Sequence, residues 1–309
     1  MKIQSELQDG KLFQNLELLA KQVVEGFISG IHKSPFHGFS AEFAEHKIYN
    51  TGESTKHIDW KLFGKTDKLY TKRYEEETNL RCHMILDNSA SMYYPERKEL
   101  TIDNLNKIGF GVLAIAALMN ILKKQRDAVG LSIFADTYNY YSPEKGSERH
   151  HQMLLAKLNE VSLEKEPETD TRTYTFIHQI AEKLKRRSLI FLFTDMFQNN
   201  ADNDSLIDAL RHLKYNKHEV VIFHLLDTET EVAFNFENTP KRFMDVETGS
   251  YIDVYADTIK EAYEKEVAAF IAKLKLTCAK YKIKYVEVDV QEDFSKVLNT
   301  FMIERQVFG

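Results

Sequence analysis

Leu80-Arg81-Cys82-His83-Met84-Ile85-Leu86-Asp87-Asn88-Ser89-Ala90-Ser91-Met92 is the stretch that decides the fold. Leu80 to Leu86 is a short, mostly apolar run, the pattern of a strand buried on both faces. At Asp87 the side chains change to oxygen carriers. Asp87, Ser89 and Ser91 stand at alternate positions, so an extended or gently turning backbone puts all three on one side. A carboxylate and two hydroxyls converging on one point suit a small hard cation such as Mg2+. The same residues also suit the cap of a following helix, and the motif by itself does not choose between the two.

Outward from this stretch the chain alternates strands and helices. Glu99 to Lys124 reads as a long helix, apolar nearly all round between Ile108 and Leu122 and therefore buried. Ala128–Phe134 and Thr137–Tyr141 read as a strand pair. Helices are expected over Glu148–Leu158, Thr175–Lys185 and Ser205–Leu213. Ser188–Phe193 and Glu219–Leu226 are further apolar strands, each leading to an acid, Asp195 and Asp227. A hairpin over Arg242–Val246 and Tyr251–Val254, a helix over Thr258–Tyr281, a strand over Ile283–Val290 and a helix over Phe294–Ile303 complete the chain. This order predicts an α/β fold: an open, mainly parallel sheet with helices on both faces. Ligands of such sheets bind beyond the carboxyl ends of the central strands, where the strand order reverses. If their strands are neighbours, Asp87 and Asp195 meet there.

Ahead of the sheet, Leu12–Ile31 is an amphipathic helix, and extended pieces are expected around Ala41–Ile48 and Lys68–Tyr74. Between these lies Ile58-Asp59-Trp60, with the chain's one tryptophan. Trp60 is expected to be buried, and His57 and Asp59 to brace its turn, since no nucleophile stands beside them. The expected division is residues 1–79 as an N-terminal helix and extended region, and 80–309 as the sheet domain.

The bulk composition narrows the function. The 309 residues are 43% hydrophobic and 28% charged, as in ordinary globular proteins. A net charge of −6 gives no overall case for nucleic acid. The basic residues Lys61, Lys65, Lys68, Lys72 and Arg73 run straight into Glu75-Glu76-Glu77, a mixed, solvated face. The two cysteines, Cys82 and Cys278, form no metal-type pair, and a cytoplasmic location is expected. The start lacks a signal-peptide core, and the apolar run Ile108–Leu122 is short for a membrane span, so no membrane-spanning segment is expected.

Asp87-Asn88-Ser89-Ala90-Ser91, together with a loop threonine and a strand ending in Thr194-Asp195, resembles the metal-ion-dependent adhesion site of von Willebrand factor A domains. Tyr49-Asn50-Thr51-Gly52-Glu53-Ser54-Thr55-Lys56-His57-Ile58-Asp59-Trp60, followed by that serine turn, and Leu184-Lys185-Arg186-Arg187-Ser188-Leu189 resemble one branch, the bacterial "domain of unknown function 58" family. The resemblance runs from about residue 20 to 227. Lys56 stands where the family usually has Arg, and Gly64 where it has Ala; a bidentate contact at the first would be weakened.

The resemblance implies a von Willebrand factor A-like fold and a metal site of Asp87, Ser89 and Ser91 in the first loop, Thr171 in the second (Thr173 the alternate) and Asp195 in the third. The implied cofactor is Mg2+, or Mn2+ or Ca2+. The implied partner is a MoxR-type AAA+ ATPase, in a chaperone-like or maturation system, together with a client that presents an acidic residue. That makes a non-enzymatic, metal-dependent protein-binding module. The alternatives are a scaffold with a vestigial site, or a Mg2+-dependent hydrolase. For the hydrolase the chain shows no phosphate-cradling glycine loop, H-E-x-x-H or G-x-S-x-G.

Overall fold

The computed structural model describes residues 16–31, 46–48, 60–72, 80–97, 100–102, 104–135, 139–163, 173–196, 203–215, 217–244 and 250–308. The chain divides into two compact units, residues 1–29 with 80–309, and residues 30–79.

The small unit contains a two-stranded antiparallel sheet, β1 (His46–Ile48) with β2 (Tyr70–Lys72), and the short helix α2 (Trp60–Thr66). Trp60 departs from expectation. It is 63% exposed, and its ring meets only the edge of Phe63, at a centroid separation of 6.2 Å, among the described ring contacts. From Leu62 on, the residues of its short helix are half-exposed or exposed, so among the described residues it has little apolar surface to pack on. His57, Ile58 and Asp59 lie outside the described residues.

The large unit begins with α1 (Leu16–Ile31), whose Leu16, Leu19, Ala20 and Val24 are buried in the core of the sheet domain. Glu17 accepts from Lys123 (3.3 Å) and Gln152 (3.1 Å), which anchors the helix from outside. Thus α1 groups with residues 80–309 and not with residues 30–79, whereas the sequence suggested a single N-terminal region over 1–79.

In chain order the sheet domain runs β3 (Arg81–Asp87), a 3-10 turn (Ala90–Tyr93), α3 (Lys107–Lys124), β4 (Ala128–Phe134), β5 (Asn139–Lys145), α4 (Glu148–Leu163), α5 (Thr173–Lys183), β6 (Leu189–Thr194), α6 (Asn203–Tyr215), β7 (Glu219–Leu226), a π-helical turn (Thr228–Val232), β8 (Pro240–Met244), β9 (Tyr251–Tyr255), α7 (Ala256–Lys280), β10 (Lys284–Asp289) and α8 (Ser295–Phe308). Six strands form one sheet in the order β10-β7-β6-β3-β4-β5. All neighbours are parallel except β4 and β5. This is the open, mainly parallel α/β sheet that the alternation of elements predicts.

Side chains alternate across the strands. Cys82, Met84 and Leu86 join one core with α1, α3, α4 and α8, and Ile85 joins another with α5, α6 and α7. Helix α3 is buried from Lys107 through Met119, as its all-round apolar sequence requires. It starts at Lys107, later than the expected Glu99, because Asn106 caps it: the Asn106 side chain accepts the Gly109 N–H at 2.9 Å. Strand β5 runs on to Lys145 through Pro143, which an edge strand tolerates. No described helix is long and apolar enough to cross a membrane.

Candidate metal centre at the carboxyl edge of the sheet

Strand order places the acids. From β3 the chain moves one way, to β4 and the edge strand β5, and then returns to β6 on the other side of β3. The order therefore reverses beside β3, and the crevice at its carboxyl end is where an open α/β sheet holds a ligand. Asp87 ends β3, Asp195 follows β6 and Asp227 follows β7. All three are at most 3% exposed.

Leu86 lies opposite Phe193 in the β3–β6 ladder, so Asp87 and Thr194 arrive side by side. Thr194 Oγ1 donates to Asp87 Oδ2 at 2.6 Å and itself accepts the Met196 N–H at 3.1 Å. Met196 is in the left-handed region (φ 56°), which turns the chain sharply just after Asp195. Asp87 Oδ1 accepts the Ser89 N–H at 3.0 Å, closing the serine turn on itself. The Ser89 and Ser91 hydroxyls lie 3.1 Å apart. Tyr93 OH donates to the Asn88 side chain (3.0 Å), and the Asn88 N–H donates to Phe134 O (2.8 Å), so Asn88 fixes the loop to β4. The structure thus brings Asp87, Ser89 and Ser91 together, with Asp195 on the adjacent strand end. Thr171 lies outside the described residues, and of its alternate Thr173 only the backbone, at the start of α5, is described.

Two residues that the sequence did not single out complete the centre. Lys107, fully buried at the head of α3, donates from Nζ to Asp195 Oδ2 at 2.8 Å and to Glu231 Oε1 at 2.6 Å. Glu231 belongs to the π-helical turn after β7, and its other oxygen accepts the Asp227 N–H at 2.8 Å. A lysine before an apolar helix reads in sequence as an exposed first turn. The usable signal was its place, since a cation opposes the helix dipole there. Glu231 carried no local signal, because a fold-level contact brings it in.

The electrostatics of these groups follow first from burial. Burial, and next the neighbouring Asp195 charge, push the Asp87 carboxyl up to about 7. Burial raises Glu231 above the usual carboxylate range, with Lys107 opposing. For Lys107, burial favours the neutral amine, but Asp195 and Glu231 outweigh it and hold the ammonium above its ordinary value. His224 is pushed down to about 4 by burial and is neutral; its Nε2–H donates to the Asp195 carbonyl at 2.6 Å, and its Nδ1 accepts from Tyr285 OH. Asp195 and Glu231 thus share one ammonium, and the Asp87 carboxyl lies near Asp195 and beside the two serine hydroxyls. An all-oxygen set of this kind suits a hard divalent cation. Among the described residues no group of three or more His, Cys, Asp or Glu is placed to hold a metal ion, the acids of this edge included.

A second buried polar group crosses the sheet. His83 bonds through Nδ1 to Glu144 (2.7 Å) and through Nε2 to Ser132 Oγ (2.7 Å). The order of groups is that of a hydrolase relay, but Ser132 is 1% exposed and Tyr141 stacks on the His83 ring at 5.6 Å. The group ties edge strand β5 to the centre of the sheet.

Residues 45–272 match the family described as "Protein of unknown function DUF58", and the chain belongs to that family. Uncharacterized proteins Rv1480 of Mycobacterium tuberculosis and Mb1516 of Mycobacterium bovis are each 24% identical over 107 residues, 32% of this chain and 34% of theirs. The match spans about a third of those curated relatives. Among solved structures, an aerotolerance-related membrane protein from Bacteroides fragilis is similar over 73% of this chain and 99% of its own, at 16% identity and TM-score 0.45. The SpRpn10 VWA domain is similar over 72% and 94%, at 11% identity and TM-score 0.38.

Proposed function

We propose that this chain is a non-enzymatic protein-binding module whose contact point is a divalent cation at the carboxyl edge of the sheet. Asp87, Ser89 and Ser91 would hold the ion, with Thr171 from the second loop and Asp195 from the third. Mg2+ is the expected ion, with Mn2+ or Ca2+ as substitutes. Such an ion supplies a strong local positive charge that attracts an acidic side chain. The supporting observation is the gathering of oxygen groups at one edge: Asp87 near Asp195, whose carboxylate shares the Lys107 ammonium with Glu231, next to the paired Ser89 and Ser91 hydroxyls.

The family resemblance supplies the partners, a MoxR-type AAA+ ATPase and a client presenting an acidic residue, in a chaperone-like or maturation system. We place the protein in the cytoplasm; both cysteines are buried and neither is in a disulfide, which fits a reducing compartment. The scaffold reading keeps one observation in its favour, the hold of Lys107 on Asp195, because a fixed ammonium already neutralises one of the acids.

Calorimetric titration of Mn2+ into chelator-treated protein should give one saturable site that Asp87→Ala abolishes. The complex with the ATPase should weaken in EDTA and in Ser89→Ala. No heat at millimolar Mn2+, in wild type and in Lys107→Gln alike, would sink the metal reading, and a complex indifferent to EDTA would favour the scaffold.

A further inference from the structure

Lys107 is held against two separate costs. Its side chain is fully buried, where an ammonium loses its hydration. It also occupies the first residue of α3, where the helix dipole disfavours a cation. An apolar side chain there would avoid both costs, as the next residues of the helix do. What the lysine gains is two short charge-assisted hydrogen bonds, to Asp195 and Glu231. The backbone is committed as well: the Lys107 N–H donates to Tyr94 O at 3.1 Å, and the Tyr94 hydroxyl donates to Thr230 Oγ1 at 2.6 Å. The head of α3 is thereby tied to the same π-helical turn that carries Glu231.

We infer that Lys107 is a tethered counter-ion of the Asp195 carboxylate, which competes with the divalent cation for that acid and sets the site for weak, exchangeable binding. The inference rests on the metal reading of the Asp87 loop. One ammonium and one divalent ion cannot both draw fully on the Asp195 charge, and each repels the other at close range. Glu231 gives the ammonium somewhere to remain, so Lys107 does not have to leave the buried site when a cation takes its share of Asp195.

Mn2+ affinity, measured by calorimetry, tests this with wild type, Lys107→Met and Lys107→Gln. The glutamine variant loses the charge but still offers N–H groups to both acids, so it serves if the methionine variant fails to fold. Loss of the ammonium should tighten Mn2+ binding at least tenfold. In a double-mutant cycle with Asp195→Asn the gain should largely disappear, because it depends on that acid and not on the general loss of a nearby positive charge. Binding by the variants where wild type shows none supports the counter-ion role equally. If wild type binds Mn2+ and folded Lys107 variants bind it no tighter, the counter-ion role fails while the metal reading stands. A gain that survives intact in the Asp195→Asn background also overturns it. If neither wild type nor variants bind Mn2+, both readings fall together.

Discussion

Asp87 is a carboxyl group whose ionisation costs stability unless something positive arrives. Its unfolded form titrates near the ordinary value of 3.8, and its folded form near 7. Between those values the native state binds the extra proton, so in a chelator stability should fall as pH rises from about 4 to 7 and then level off. Asp87→Asn should remove that slope, and urea midpoints in EDTA across the window check it. A profile that is flat, or that rises with pH and is unaffected by the variant, would contradict the burial and charge of this carboxyl. Legibility at this scale was uneven. Asp87, Ser89, Ser91 and Asp195 could be chosen from sequence because alternate spacing and strand ends are local features. Lys107 and Glu231 could not, because they are 124 positions apart and only the finished sheet brings them together. Trp60 misled for the related reason that aromatic residues are usually buried, while its own short helix gives it little to pack against.

Elements were legible where one pattern governed them from end to end. Strands β3, β6 and β7 are mostly apolar and form within a residue of where the sequence puts them, and α3 covers the apolar part of its expected range. Ends were missed where a side chain or an edge decided them, as with the Asn106 cap and the extension of β5 through Pro143. The register of the sheet centre carries one strict requirement. A Cβ at Gly130 in β4 would collide with the His83 ring and lie 2.9 Å from the Ser142 carbonyl of β5. Neither can withdraw easily: His83 is bonded at both ring nitrogens, and Ser142 is main chain in the ladder. Gly130→Ala should therefore cost about 1–3 kcal/mol, as overpacking of a dense core does. Thermal or urea unfolding measures it, and an unchanged midpoint would mean that β5 can shift without cost. Ser132→Ala should add little to the damage in the Gly130→Ala background, since both changes act on the same His83 contacts.

At the scale of the whole molecule, the alternation of strands and helices gives the sheet and the reversal of strand order gives the edge where the acids meet. Which segments belong to which unit is settled by packing alone. Helix α1 lies far from the sheet in sequence, yet Leu16, Leu19, Ala20 and Val24 are at most 4% exposed, in the same core as Leu154 and Leu158 of α4 and Leu113 of α3. A fully buried leucine or valine contributes roughly 1.5–3 kcal/mol, and removing the helix also uncovers the surface beneath it. A fragment beginning at residue 32 should thus unfold at a clearly lower urea concentration than the full chain. It should also bind a hydrophobic dye, because the uncovered patch is contiguous. The Asp87 loop, by contrast, takes its support from β3, β4 and β6, through Asn88, Phe134 and Thr194. Mn2+ affinity of the fragment should therefore stay close to that of the full chain at a temperature where both are folded. Equal urea midpoints and no dye binding would show that α1 is an appendage, and that the sheet domain is complete from residue 80.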